Sequence, residues 1–278
     1  MVVPGPHRAL SSIRNPLLKE VRRAVARGTL TEDGCAVAET FHLLEEALRS
    51  DAAVRAVIAA ESVRTTVEKH IGGLSSIPVV VVADDVFPLI SATETSQGVI
   101  ALVKPAPWTL EQLFRGRSLV VVLDGLQDPG NAGAIVRAAE AFGATGVLCI
   151  KGTASPWNPK TLRASAGSIF RIPVMAGLDA DLARASLEQR RLDIYATVPS
   201  GGRPLTGVDL TRRCAFIIGS EGRGVSGRLR HQATDLRIPT AGVESLNAAM
   251  AAGILLYEAA RQRALRDELS GQHIHEPV

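Results

Sequence analysis

Three glycine-containing loops in the second half of this 278-residue chain combine residue types that bind anions, polarise hydroxyls or move protons. The first runs Asp124-Gly125-Leu126-Gln127-Asp128-Pro129-Gly130-Asn131-Ala132-Gly133-Ala134-Ile135-Val136-Arg137. It leaves an apolar run and enters a helical pattern, so backbone N–H groups at the helix start can receive an anion. Asn131 offers an amide, and Arg137 a planar guanidinium suited to phosphate. Gly130 and Gly133 do not complete G-x-G-x-x-G, so a dinucleotide loop has little support. The second loop, Ile218-Gly219-Ser220-Glu221-Gly222-Arg223-Gly224-Val225-Ser226, holds three glycines that let backbone approach a ligand closely. Glu221 is its only acid and a conventional base candidate. The third loop, Ile238–Gly253, presents Ser245 and Asn247 ahead of small residues that let a helix pack closely. Each feature also has a local explanation: Asn131, Ser226 or Ser245 as helix caps, Arg137 as one solvent-facing arginine, the second loop as a plain turn.

These loops follow runs that read as buried strands. Leu119–Leu123 and Ala215–Ile218 are continuously apolar, as expected of strands covered on both faces of a parallel sheet. The pattern predicts strands Leu119–Asp124, Gly146–Ile150, Arg171–Met175, Asp193–Val198, Cys214–Gly219 and Asp235–Ile238, with helices Ala132–Phe142, Asp181–Arg190 and Leu246–Arg263. Ligands of such sheets bind outside the strands' carboxyl ends, where the loops fall. The first hundred residues alternate too: helices Pro16–Arg27 and Thr40–Arg49, strands Cys35–Ala38, Val54–Ala60, Pro78–Ala83 and Gly98–Val103. Lys104-Pro105-Ala106-Pro107-Trp108 suits a linker. The expected organisation is an α/β substrate-binding domain over 1–104, a linker over 105–117, a parallel-sheet domain over 118–266 and a flexible tail over 267–278.

With 46% hydrophobic and 21% charged residues the chain reads as folded, not disordered. Its longest apolar runs are far short of the ~20 residues that span a bilayer. The segment after Met1, with Pro4-Gly5-Pro6 and scattered arginines, does not read as a signal peptide. Cys35, Cys149 and Cys214 suggest neither a disulfide framework nor a zinc site, and read as reduced, buried thiols in a cytoplasm. His273-Ile274-His275 is weak evidence for a metal. The net charge is only +3, yet Arg8, Arg14, Lys19, Arg22, Arg23 and Arg27 precede Gly28 against one acid, Glu20. Such a cluster either neutralises RNA phosphates or forms a solvated helix face.

Taken in order, Asn131-x-Gly133-x-x-x-Arg137, Gly219-Ser220-Glu221-Gly222-x-Gly224 and Ile238-Pro239 followed by Ser245-Leu246-Asn247 resemble the three signature motifs of the SpoU/TrmH RNA 2′-O-methyltransferases of the SPOUT superfamily. The likeness extends over Leu119–Arg263. Asn158-Pro159-Lys160 and Arg163-Ala164-Ser165-Ala166-Gly167-Ser168 resemble a segment of members acting on ribosomal RNA. The N-terminal half resembles the family's substrate-binding domain, related to certain ribosomal proteins. Two departures stand out: Glu39-Thr40 where relatives commonly have Glu-Gly, and Thr240 where they often have Met.

The resemblance implies a trefoil-knotted parallel sheet that binds S-adenosylmethionine around Thr197, Val198, Gly219, Ile238 and Leu246, without metal. It further implies a homodimer through the methyltransferase domain and a structured RNA substrate. Ribosomal RNA, with a large-subunit guanosine as a candidate target, comes first and tRNA second. Family accounts give the arginine at position 137 a part in activating the ribose hydroxyl. A guanidinium with a pKa above ~12 stays charged, so we read Arg137 as a phosphate clamp that favours the alkoxide. Asn131, Ser245 and Asn247 read as positioners, and Glu221 as either base or orienter. Arg22, Arg23, Arg27, Arg137 and Arg163 are the expected RNA contacts. Gly219→Val is expected to obstruct the cofactor. A non-catalytic RNA-binding protein is the alternative; a nucleotide-dependent small-molecule enzyme would call for a G-x-G-x-x-G or Walker loop.

Overall fold

A computed structural model describes residues 9–50, 52–72, 77–269 and 271. Arg8 and His273–His275 therefore lie outside the described residues. The chain divides into two compact units, one built from residues up to Pro107 together with Ser155–Arg171, the other from Trp108–Ala154 and the residues from Ile172 on.

In the first unit, helix α1 (Pro16–Arg27) starts as expected, the Asn15 side chain accepting from Leu17 N and Pro16 opening the first turn, and it stops at left-handed Gly28. Its Leu18, Val21 and Ala24 are buried. The remaining elements are β1 (Ala36–Glu39), α2 (Phe41–Leu48), β2 (Ala53–Ala60), α3 (Arg64–Ile71), β3 (Val79–Val82) and β4 (Val99–Lys104). The sheet runs β1-β4-β2-β3, with β4 antiparallel to both neighbours and β2 parallel to β3. Helix α3 is not evident in the sequence, because only Val67 and Ile71 of its eight residues are buried.

The Glu39-Thr40 departure has a structural counterpart. Glu39 is buried and accepts from Ala92 N (2.7 Å), Thr93 Oγ1 (2.7 Å), Ser96 Oγ (2.8 Å) and Ser91 Oγ (2.5 Å), which ties the loop before β4 to the end of β1. Thr40 follows with φ +126° and ψ 152°, backbone space that is nearly reserved for glycine and costs about 1–3 kcal/mol for other residues. Its hydroxyl offsets part of this by capping α2 at Leu43 N (3.1 Å). A glycine caps only a few tenths of a kcal/mol less well. Thr40→Gly should therefore stabilise the protein by about 1 kcal/mol after the added unfolded-state entropy is counted. Denaturant titration checks this, and a loss of stability would show that the cap outweighs the strain.

The second unit opens with α4 (Leu110–Leu113), inside the expected linker. Thr109 and Gln112 form a capping box, and Leu113 and Phe114 sit in the core with Val120 and Val122, so ordered packing starts before 118. Then come β5 (Leu119–Asp124), α5 (Pro129–Ala141) and β6 (Gly146–Ile150). The chain next contributes α6 (Pro159–Ser165) to the first unit, where Arg171 pairs with Glu46 and Asn158 lies against Gly28. It returns for β7 (Val174–Leu178), α7 (Ala180–Gln189), β8 (Asp193–Thr197), β9 (Arg203–Pro204), β10 (Cys214–Gly219), α8 (Gly227–Arg230), β11 (Thr234–Arg237) and α9 (Ala248–Leu269). β7 begins three residues later than expected because Arg171 belongs to the other unit, and α9 runs through Leu269, past the expected start of the tail.

The seven strands are ordered β7-β6-β5-β10-β8-β11-β9, and every pairing is parallel. At their amino-terminal ends Arg263 of α9 is 8% exposed and acts as a clasp. Its guanidinium donates to the carbonyls of Arg117 (2.9 Å), Ser118 (3.2 Å), Leu210 (3.1 Å) and Arg212 (2.6 Å) and to Cys214 Sγ (3.6 Å). Burial lowers its pKa, and the carbonyls answer the need of a buried charge for hydrogen bonds. All three cysteines are free and buried; burial pushes the Cys149 thiol up to about 12 and Cys214 to about 11, which leaves both unreactive near neutrality.

Candidate active site at the carboxyl ends of the strands

The sheet reverses its order between β5 and β10. From β5 it grows outward through β6 and β7, and from β10 through β8, β11 and β9. Asp124 and Gly219, the last residues of β5 and β10, are register partners. The first two loops therefore leave the sheet side by side at its switch point, where an open parallel sheet offers a crevice.

Local chemistry then shapes each loop. Asp128, not Asn131, caps α5 by accepting from Gly130 N (2.8 Å), which leaves Asn131 in the first turn with its amide unused by the helix. Asn247, not Ser245, caps α9, its Oδ1 accepting from Ala249 N (2.9 Å) and Met250 N (3.2 Å). The second loop doubles back: Ser220 and Gly224 exchange backbone hydrogen bonds of 3.2 and 2.9 Å. Its far end is tied to β5 by Ser226 N donating to Asp124 Oδ2 (2.6 Å).

Side chains from all three loops meet. Asn131 Nδ2 donates to Glu221 Oε1 (2.8 Å), and Asn131 Oδ1 accepts from Asn247 Nδ2 (3.1 Å). One amide thus links the second and third motifs, both of its ends engaged. Beside it lies a cleft of about 570 Å³, within the range of small-molecule sites. Thr197, Val198, Gly219, Ile238 and Leu246, the five expected cofactor residues, all line it, as do Glu221, Ser245 and Asn247. Leu236 and Leu255 add apolar wall, and Arg230 stands at the margin, paired with Asp235, whose carboxyl it holds below the usual range. An apolar wall interrupted by glycine-rich backbone suits a flat heteroaromatic ring with polar edges.

Arg137 is not part of this gathering. It is exposed on α5, outside the cleft, with no hydrogen bond or ion pair to a described residue. It lies six positions on from Asn131 in the helix, about a third of a turn around and about 9 Å along the axis. On the first unit Arg22 and Arg27 are exposed, while Arg23 pairs with Glu32. Arg163 is half-buried, its Nη1 shielded from solvent and without a hydrogen-bond partner. Asp124 escaped the sequence reading; its signal is an acid closing an otherwise apolar strand, Leu-Val-Val-Val-Leu-Asp. Among the described residues no group of three or more His, Cys, Asp or Glu could hold a metal, and no helix is long and apolar enough to cross a membrane.

Comparison with known proteins supplies independent information. Residues 118–257 match the SpoU rRNA Methylase family and residues 15–101 the MRM3-like substrate binding domain. The 23S rRNA (guanosine(2553)-2'-O)-methyltransferase RlmP of Bacillus subtilis is 32% identical over 252 residues, 89% of this chain and 97% of its own length. The crystal structure of the SpoU methyltransferase AviRb from Streptomyces viridochromogenes, in complex with the cofactor AdoMet, superposes with a TM-score of 0.81 at 26% identity, over 90% of this chain and 99% of AviRb. An AdoMet-bound rRNA methyltransferase from Sinorhizobium meliloti superposes with a TM-score of 0.78 at 27% identity, over 91% of this chain and 97% of its own.

Proposed function

Because the chain belongs to the SpoU rRNA methylase family, we infer that it transfers a methyl group from S-adenosylmethionine to a ribose 2′-hydroxyl of ribosomal RNA. It is an RNA 2′-O-methyltransferase, and its cofactor is S-adenosylmethionine. The single observation that carries the reading onto these residues is the Asn247–Asn131–Glu221 chain of hydrogen bonds on the margin of the cleft. A guanosine of the large-subunit RNA is the proposed target, supported by the name of the Bacillus subtilis relative. A cytoplasmic location goes with that substrate.

Bound in the cleft, the cofactor supplies a methyl group already activated on a sulfonium. The protein's share is to hold the hydroxyl in line and to favour loss of its proton. We assign Asn131 and Asn247 to the positioning of the loops, Ser245 to the cleft wall, and Arg137 to the phosphate beside the reacting ribose. Glu221 acts through Asn131, whose amide it orients. A trefoil knot belongs to the proposal, supported by β11 lying between β8 and β9, both of which precede it in sequence. So does a homodimer, supported by Met250, Ile254 and Tyr257, which form an exposed apolar stripe at helical spacing along α9.

Calorimetry with S-adenosylmethionine, followed by transfer of labelled methyl to ribosomal RNA and mapping of 2′-O-methyl sites with and without the protein, tests the function. A folded protein that binds no cofactor would refute it. The full chain should be used, because removing residues 1–104 would strip Ser155–Arg171 of its packing. Glu221→Gln keeps an acceptor for Asn131, so turnover should stay within about tenfold of wild type with an unchanged pH profile. Collapse of turnover together with loss of the acidic limb in single-turnover measurements would instead make Glu221 the base.

The first unit is proposed to grip the RNA through α1. Arg22 and Arg27 are the exposed contacts, and Arg23 contributes less because Glu32 already pairs with it. Arg22→Ala with Arg27→Ala should flatten the log–log salt dependence of RNA binding by up to about two units, one per lost phosphate contact. Arg23→Ala alone should change it by less than half a unit on the order of that scale. Equal slopes throughout would return α1 to an ordinary solvated face.

A further inference from the structure

A second concentration of charge lies in the methyltransferase unit, at the amino-terminal ends of β5 and β10 and so opposite the cofactor cleft. Arg117, Arg212, Arg213 and Arg266 line one hollow there, and among the described residues Asp267 is its only acid and no apolar side chain stands on its wall. Beneath them lies Arg263, whose guanidinium bonds four backbone carbonyls and the Cys214 sulfur. Among the described residues, two carboxylates pair directly with these arginines. Asp267 is taken by Arg117 at two points (3.0 and 2.6 Å), and Asp209 accepts from Thr211 and lies 3.8 Å from Arg212.

The arginines are also presented, not merely crowded. Arg213 is anchored through Nη2 to Phe114 O (3.1 Å) and Ser118 Oγ (3.2 Å), and its Nε is buried without a partner. Arg266 leans on Thr211 Oγ1 (2.6 Å), while the Arg212 side chain is 74% exposed. Guanidinium forks held around one hollow match phosphate oxygens in geometry as well as charge. The adjoining hollow, which shares Thr211, Arg212 and Arg266, does carry the exposed Leu265 and Leu269, so the choice of phosphate rests on the guanidinium cluster itself.

We propose that this hollow is a second RNA-backbone site that binds phosphodiester groups of a strand other than the one carrying the reacting ribose. The proposal rests on the reading of the chain as an RNA methyltransferase. Each of β5 and β10 is six residues long, about 20 Å of strand between the hollow and the cleft. An RNA that reaches both must be folded or long, so the hollow selects for structured substrates without touching the chemistry.

The test compares full-length wild type with the double variant Arg212→Ala/Arg266→Ala. The two probes are deproteinised large-subunit ribosomal RNA and a short oligonucleotide around the mapped methylation site. For the long RNA, affinity near 0.1 M salt should fall about tenfold and the log–log salt slope should flatten by about one to two units. KM should rise by the same factor, with kcat and S-adenosylmethionine binding unchanged. The oligonucleotide should behave alike with both proteins, and Arg212→Lys/Arg266→Lys should restore most of the slope but less of the affinity. Unchanged affinity and slope on the long RNA, an equal loss on the oligonucleotide, or a changed oligomeric state on sedimentation would each overturn the proposal. If the wild-type protein methylates no RNA, the reading of the reaction fails, while the binding comparison still decides the hollow.

Discussion

Arg137→Ala is expected to lower methyl transfer by roughly 10²-fold or more while the affinity for S-adenosylmethionine stays within about twofold. The expectation follows from where the side chain sits. Arg137 is exposed on α5 and absent from the cleft wall, so removing it takes nothing from the cofactor. With no partner among the described residues to hold it, its guanidinium is available to a phosphate of the bound RNA. There it would stabilise oxygen charge that develops only as the hydroxyl is lost, and such interactions raise kcat more than they lower KM. Arg137→Lys retains the charge but not the planar fork and should recover part of the rate. Near wild-type turnover in Arg137→Ala, with fold and oligomeric state unchanged, would remove the residue from the mechanism.

Gly219→Ala should abolish measurable cofactor binding, a loss of at least about 100-fold, for a reason internal to the protein. A Cβ built on Gly219 would run into the carbonyl group of Gly224 and the nitrogen of Val225, all of it backbone. Backbone cannot swing aside as a flexible side chain can, so the Ser220–Gly224 bridge must open. That bridge shapes the loop carrying Glu221 and walling the cleft. The cost to stability should be about 1–3 kcal/mol, the usual range for forced overpacking. Obstruction of the ligand, the effect expected of Gly219→Val from sequence, is thus secondary to collapse of the loop. Gly222→Ala is the control, because its added Cβ meets nothing within 4 Å. Equal cofactor binding by wild type and Gly219→Ala would show that the bridge is dispensable.

The parts of this molecule that could be read from sequence are those written in local pattern. Leu119–Leu123 and Ala215–Ile218 declare buried parallel strands, and the glycine-rich loops after them mark the crevice. Asn15-Pro16 and Gly28 bracket α1 because capping is decided within a few residues. What escaped was decided at long range or by weak stripes. Nothing local in α6 says that it packs with the first unit, and two apolar positions do not announce α3. Ser245 and Asn247 are equally plausible caps in sequence; only the course of the chain gives the role to Asn247 and, through its amide, joins it to Asn131. The clasp of Arg263 reads in sequence as one more arginine on a charged helix. Its carbonyl partners lie some fifty to a hundred and fifty positions away.

The excursion of Ser155–Arg171 governs how the protein can be made and inherited. The chain passes from one unit to the other at Pro107, back at Ala154 and across again at Arg171. On the ribosome, the first unit cannot complete itself when its own sheet has emerged. It must wait for β5, α5 and β6 to be synthesised before α6 arrives, carrying Leu162 with Ile169 and Phe170 soon after, all buried in the finished protein. An interrupted first unit must meanwhile be kept from aggregating by the chain's own later segments or by chaperones. Nor can a single recombination event move either unit intact into another protein: a donated first unit would lack its last helix, and a donated second unit would carry that helix with nowhere to bury its Leu162.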